Sequence, residues 1–179
     1  MTTQTFEIID GVYEGPDVWE GSLDLREYKD TLTSLGSLAV VWGVLDLRGC
    51  ASLISLGSLK EAGTGLDLRG CSCLPSLGPL KEVAGWLDLC DCTSLTSLGF
   101  LNEVGDFLDI NGCSSLTSLG PLIGVGDFLS LDGCMSLTTL GSLKEVEGPL
   151  DFCGSSYTTH SKRYKKRSFT MLLSLLIRH

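Results

Sequence analysis

Between residues 112 and 141 the chain reads GCSSLTSLGPLIGVGDFLSLDGCMSLTTLG, so GCSSLTSLG at 112–120 returns as GCMSLTTLG at 133–141. The echo extends in both directions. An anchor of the form Leu-Asp-Leu, or a close variant, begins at Leu23, Leu45, Leu66, Leu87, Leu108, Leu129 and Leu150; the first interval is 22 residues and the next five are 21. Self-similarity at such a period marks a chain of stacked structural units, none of which buries its own apolar side alone. The extra residue falls in LREYKDTLTSLG (25–36), which also lacks the usual Gly-Cys pair, as expected of an atypical end unit.

Inside one unit the apolar residues are Leu87, Leu89, Cys92, Leu95, Leu98, Leu101 and Val104. After a first step of two, every step is three. Neither the 3.6 period of a helix nor the 2.0 period of a long strand accommodates that run. A coil that turns a corner every few residues does. Glycines mark the corners: Gly36, Gly57, Gly78, Gly99, Gly120 and Gly141 follow a Ser-Leu or Thr-Leu pair, and Gly49, Gly70, Gly112 and Gly133 precede a cysteine. Asp91 takes the place of that second glycine once, which suits a left-handed turn because Asp tolerates one better than most residues. The segment VAGWLDL (83–89) alternates like a strand, so stacked units are expected to pair one short parallel strand per repeat, about 4.8 Å apart. VGDFLDI and VGDFLSL break that alternation at Asp106 and Asp127; an inward carboxylate would be costly, so the backbone is expected to turn at Gly105 and Gly126 and shorten the strand.

The motif LDLxGCxSLxSLGxLxxV resembles a leucine-rich repeat of the kind that carries Cys where many members carry Asn, and SLGPLKEVAGWLDL is also similar to the L domains of growth-factor receptors. The resemblance covers residues 19–153 and implies a mainly β fold: a right-handed solenoid with little or no helix on its convex side. Both families are binding scaffolds, so it implies a binding role without a ligand. The expected organisation is an N-terminal cap over 1–22, a solenoid of about six repeats over 23–153, and a basic and apolar tail over 154–179, in which a helix from Ser168 caps the last coil.

The net charge of −9 is unevenly spread. Residues 1–154 hold all 22 acidic residues and 7 of the 13 basic ones, a balance of −15, so this body should repel nucleic acid; the tail, with the other six basic residues and no acid, can contact an acidic surface. The start MTTQTFEIIDGVYEG has no basic n-region or apolar h-region, and MLLSLLI (171–177) is too short to span a bilayer. A cytoplasmic chain with reduced thiols is the expectation.

Cys50, Cys71, Cys92, Cys113 and Cys134 occupy one position of five successive units and read as a buried ladder of structural thiols. Cys71 and Cys73 with Cys90 and Cys92 offer a four-thiolate zinc arrangement as the alternative, although CxC spacing and the place of two of them in the buried row argue against a metal. The outward side of the anchor strands carries three rows. Trp86, Phe107 and Phe128 stand just before their anchors; Asp24, Asp46, Asp67, Asp88 and Asp109 follow the first leucine; Arg26, Arg48, Arg69, Cys90 and Asn111 come two residues later. The N-terminal half is thus an acid–base lattice, and the C-terminal half sets large aromatics beside acids without arginine. A non-enzymatic module that binds a protein, peptide or glycan partner on Trp86, Phe107, Phe128, Asp88, Asp109, Arg48 and Arg69 is the leading reading, with no cofactor. A structural or ice-binding solenoid using Thr96, Thr117, Thr138, Ser97, Ser118 and Thr139 is the alternative. No catalytic constellation is visible: the two histidines, His160 and His179, lie in the tail.

Overall fold

The computed structural model describes residues 4–151. They form a β-solenoid of about six turns, about 21 residues per turn, built from parallel sheets. Among the described residues there is no α-helix, only a 3-10 turn at Arg26–Tyr28, in the same stretch that holds the extra residue of the first interval. The expected helix from Ser168 lies outside the described residues.

Each coil contributes two short strands where the sequence led us to expect one. The first set, here the Leu-Asp sheet, contains Leu23–Asp24, Val44–Asp46, Gly65–Asp67, Trp86–Asp88, Leu108–Asp109, Leu129–Ser130 and Leu150–Asp151. The second, the Glu-Val sheet, contains Val18–Trp19, Val40–Val41, Glu61–Ala62, Glu82–Val83, Glu103–Val104, Gly124–Val125 and Glu145–Val146. VAGWLDL is therefore not one strand. It bends at Ala84-Gly85 and feeds two sheets. Register is in phase throughout, with Leu87 paired to Leu66 and Leu108, and Val104 to Val83 and Val125. A third side carries isolated parallel bridges such as Ser34↔Ser55 and Ser76↔Ser97.

After the first coil, a two-residue bend with one glycine lies between the sheets, followed in the last three coils by one further residue before the Leu-Asp strand: Trp42-Gly43, Gly63-Thr64, Ala84-Gly85, Gly105-Asp106, Gly126-Asp127 and Glu147-Gly148. A Cβ on Gly105 would run into the Ala84 carbonyl oxygen of the coil beneath, and one on Gly126 into that of Gly105. The two coils with Gly-Asp bends turn Asp106 and Asp127 out to solvent. Their strands, Leu108–Asp109 and Leu129–Ser130, are two residues long against three for Trp86–Asp88, the shortening expected, although Leu23–Asp24 and Leu150–Asp151 in the end coils are equally short without such an Asp.

The core is a stack of like on like. Leu87, Leu89, Cys92, Leu95, Leu98 and Leu101 are all 0% exposed, and the equivalent positions of the neighbouring coils line up with them. Complete burial of one leucine is worth about 2 kcal/mol, and five to six coils repeat the set. Every cysteine of the row is also fully buried, but it does more than fill space. Cys71 Sγ donates to the Leu47 carbonyl at 3.3 Å, Cys92 to Leu68 at 3.1 Å, Cys113 to Leu89 at 3.2 Å and Cys134 to Ile110 at 3.2 Å. Each thiol thus ties its coil to the one below. The geometry explains why a small residue with a donor recurs there.

At the corners Asp91 has φ 61°, left-handed like the 70–74° of the glycines at its position in other coils, as its substitution implied. Hydroxyls of Ser34, Ser55, Ser76, Ser97, Ser118 and Thr139 accept hydrogen bonds from the amide of the glycine two residues on. Thr96 and Thr138 donate to the carbonyls of Pro75 and Thr117. At the N-terminal end a hairpin of Glu7–Ile9 and Val12–Glu14 turns at Asp10-Gly11, both with positive φ, and packs Phe6 on Tyr13 at 5.5 Å.

Candidate functional face

The outward face of the Leu-Asp sheet divides into two chemically different halves. In the first, Asp and Arg two residues apart point to the same side of a strand, because side chains alternate. Asp46 accepts Arg48 Nε at 3.0 Å and Arg48 Nη2 at 2.6 Å, while Arg26 Nε of the preceding coil reaches it at 3.2 Å. Asp67 is built the same way: Arg69 Nε at 3.0 Å and Nη2 at 2.6 Å from its own coil, and Arg48 Nε at 3.3 Å from below. Each guanidinium therefore bridges successive carboxylates. The stacked Asp row, which alone would be repulsive, becomes a neutral lattice. At the end of that row the Arg26 guanidinium holds the Asp24 carboxyl down at about 2, and for Arg48 and Arg69 the carboxylates push the guanidinium value upward. Arg48 and Arg69 are committed to these bridges.

The lattice stops at Asp88. This carboxylate is 8% exposed and keeps Arg69 Nε at 3.3 Å, but two residues on stands Cys90, whose amide donates to Asp88 Oδ1 at 3.0 Å. Asp109 receives the matching amide, that of Asn111, at 3.0 Å, and no arginine. The Cys90 thiol lies between the two acids, and the nearest ligand atoms of Asp88, Cys90 and Asp109 fall within 4.8 Å of one another. Burial raises the Asp88 carboxyl above the ordinary range, against the opposing pull of the Cys90 amide and Arg69. Burial first, then hydrogen bonding to Asp88 and Asp109, pushes the Cys90 thiol up. Nothing in the spacing of the sequence singled out Cys90 as the residue that ends the lattice between two acids. The break in the Arg row was the available signal.

Restoring the row is expected to stabilise the protein. Cys90→Arg puts a guanidinium between Asp88 and Asp109 and should raise the midpoint of urea unfolding by an amount equivalent to about 0.5–1 kcal/mol. An unchanged or lowered midpoint contradicts the lattice account.

Beside the acids run the aromatics. Trp86 lies over Gly65, where a Cβ would collide with the indole. Trp86 and Phe107 are stacked at 5.7 Å with an interplanar angle of 7°, and Phe107 and Phe128 follow at 6.4 Å and 43°. All three are half-buried. Trp86 and Phe107 spend one face each on the other, at about 0.5–1.5 kcal/mol for the pair, while Phe128 is tilted against Phe107. The structure thus brings Trp86, Phe107, Phe128, Asp88 and Asp109 onto one continuous strip, with Arg48 and Arg69 at its N-terminal border.

The four thiols of the zinc alternative do not converge. Cys71 and Cys92 are inside the core with their sulfurs turned to carbonyls, Cys73 is exposed, and Cys90 sits on the sheet face. Among the described residues no helix is long and apolar enough to cross a membrane. Comparison with protein-family models, with curated proteins and with solved structures finds no match for this chain.

Proposed function

We propose that the chain is a non-enzymatic binding module of the leucine-rich-repeat kind, which holds a protein or peptide partner on the C-terminal half of its Leu-Asp sheet. One observation carries the reading: the column Trp86, Phe107, Phe128 lies directly beside Asp88 and Asp109, just where the arginines that neutralise the rest of the face run out. A partly buried aromatic row offers a preformed apolar anchor, and the adjoining carboxylates select for basic partners. The hydroxyl-row alternative has less support, since Thr96 and Thr138 spend their hydroxyl protons on backbone carbonyls.

The test is affinity capture from source-cell lysate with the native chain and with the triple variant Trp86→Ser/Phe107→Ser/Phe128→Ser, after circular dichroism has shown that the variant folds. A partner held by the native chain and lost from the variant is the expected result. Equal capture by both, or none by either, refutes a role for the aromatic strip.

A further inference from the structure

The lattice on the Leu-Asp face displays, three times over, how this protein seats a guanidinium. Arg26 bridges Asp24 and Asp46, Arg48 bridges Asp46 and Asp67, and Arg69 bridges Asp67 and Asp88. Each interior acid of the series therefore receives two arginines, its own and that of the coil below. Asp88 receives one. Asp109 receives none.

The fourth slot nonetheless keeps the build of the first three. Asp88 pairs with Asp109 in the same register as Asp67 with Asp88, so the two carboxylates stand one coil apart. Amides two residues on orient Asp88 and Asp109 as they orient Asp24, Asp46 and Asp67. Only the side chain between the acids differs: Cys90, short, uncharged and half-buried, stands where the coils below carry an arginine.

We propose that the slot formed by Asp88, Cys90 and Asp109 is a receptor for the guanidinium of an arginine supplied by a basic partner peptide. The inference rests on the reading of this face as a binding surface and names the group it recognises. An acidic pair alone would not distinguish arginine from lysine. The specific geometry here is a planar fork whose Nε and Nη2 reach carboxylates in successive coils, and an ammonium cannot reproduce it. The aromatic column lies two residues back along the same strands, so a peptide with an apolar residue near its arginine would meet both features.

Amide shifts of the 15N-labelled full chain, titrated with N-acetyl-arginine amide, N-acetyl-lysine amide and N-acetyl-citrulline amide, test the slot directly. Saturable shifts centred on Cys90, Asp91 and Asn111 are expected with the arginine probe. The lysine probe should bind about fivefold or more weakly and the uncharged citrulline probe should leave the spectrum unchanged. Cys90→Arg, which fills the slot from within, should abolish the response, while Trp86→Ser/Phe107→Ser/Phe128→Ser should retain it. Equal responses to arginine and lysine, or a response that survives Cys90→Arg, overturn the proposal. So does silence in the native chain; if shifts then appear in full-length Arg163→Gln/Arg167→Gln, the occupant is the chain's own tail and not a partner. The failure of the slot is separable from that of the binding reading, because capture of a partner through the aromatic strip is measured independently and does not involve Cys90.

Discussion

Raising the pH above 9 is expected to unfold this protein within about one to two pH units. The cause is the thiol ladder. Burial pushes Cys50 and Cys134 up to about 11 and Cys92 to about 12, and raises Cys71 and Cys113 in the same direction. In the unfolded chain these thiols ionise near 8.5. Between the two values the folded state holds protons that the unfolded state has released, so stability is intact below about pH 8.5 and falls as pH rises toward the folded values. Each thiol contributes about 1.4 kcal/mol of loss per pH unit in that window, and five together give a slope of about 7 kcal/mol per unit. A typical stability of about 5–15 kcal/mol would be exhausted about one to two pH units above 8.5. Stability from urea unfolding at a series of pH values, followed by circular dichroism, measures the slope. Replacing Cys113 by Ala should lower the overall stability but reduce the row's share of the slope by about one fifth, since it removes one of the row's five protons. A protein whose stability is flat to pH 11 would sink the buried-thiol account.

Gly105→Ala is expected to cost about 2–3 kcal/mol, a large loss for the addition of one methyl group. Gly105 does not adopt a positive φ, so its backbone conformation is open to any residue. What forbids a side chain is the coil beneath: the new Cβ would lie well inside contact distance of the Ala84 carbonyl oxygen. That oxygen is part of the solenoid backbone and cannot swing away like a side-chain end, so relief requires the two coils to separate at the bend. Separation stretches the neighbouring ladder bonds, including Gly105 N–H to the Val83 carbonyl at 2.9 Å. The adjacent Asp106→Ala makes a suitable control because that residue is exposed, and it should change stability by less than about 0.5 kcal/mol. If both variants unfold at the same urea concentration, the close approach of the coils does not matter as described.

Much of the architecture was legible because a solenoid writes its geometry into its period. The steps of three from Leu89 through Val104, with glycine at each corner, admit a turning coil and little else, and every residue of that run is in the core. The Asp-for-Gly exchange at position 91 and the short strands after Asp106 and Asp127 followed from local backbone and desolvation rules. The second sheet was not legible in the same way. A two-residue strand such as Glu82–Val83 has too few residues to show a period, and its strand character comes from pairing with Ala62 and Val104 in neighbouring coils. The bend that separates it from Trp86–Asp88 depends on a glycine that shifts by one place between coils, and only contact with the carbonyl below gives that glycine its meaning.

The sequence by itself determined the repeat, the buried identity of its leucines and cysteines, and which residues share the outward face, because each of these depends on order along one chain. Tertiary structure alone decided how the rows engage. Arg48 reaches the acid of the next coil as well as its own, the thiols bond to carbonyls one coil away, and Trp86 stacks on Phe107. Those contacts join residues about 20 positions apart, at distances of a few ångströms set by coil spacing and rotamer. No run of letters encodes that spacing, and so the break in the charge lattice between Asp88 and Asp109 takes its geometry only when the coils are stacked.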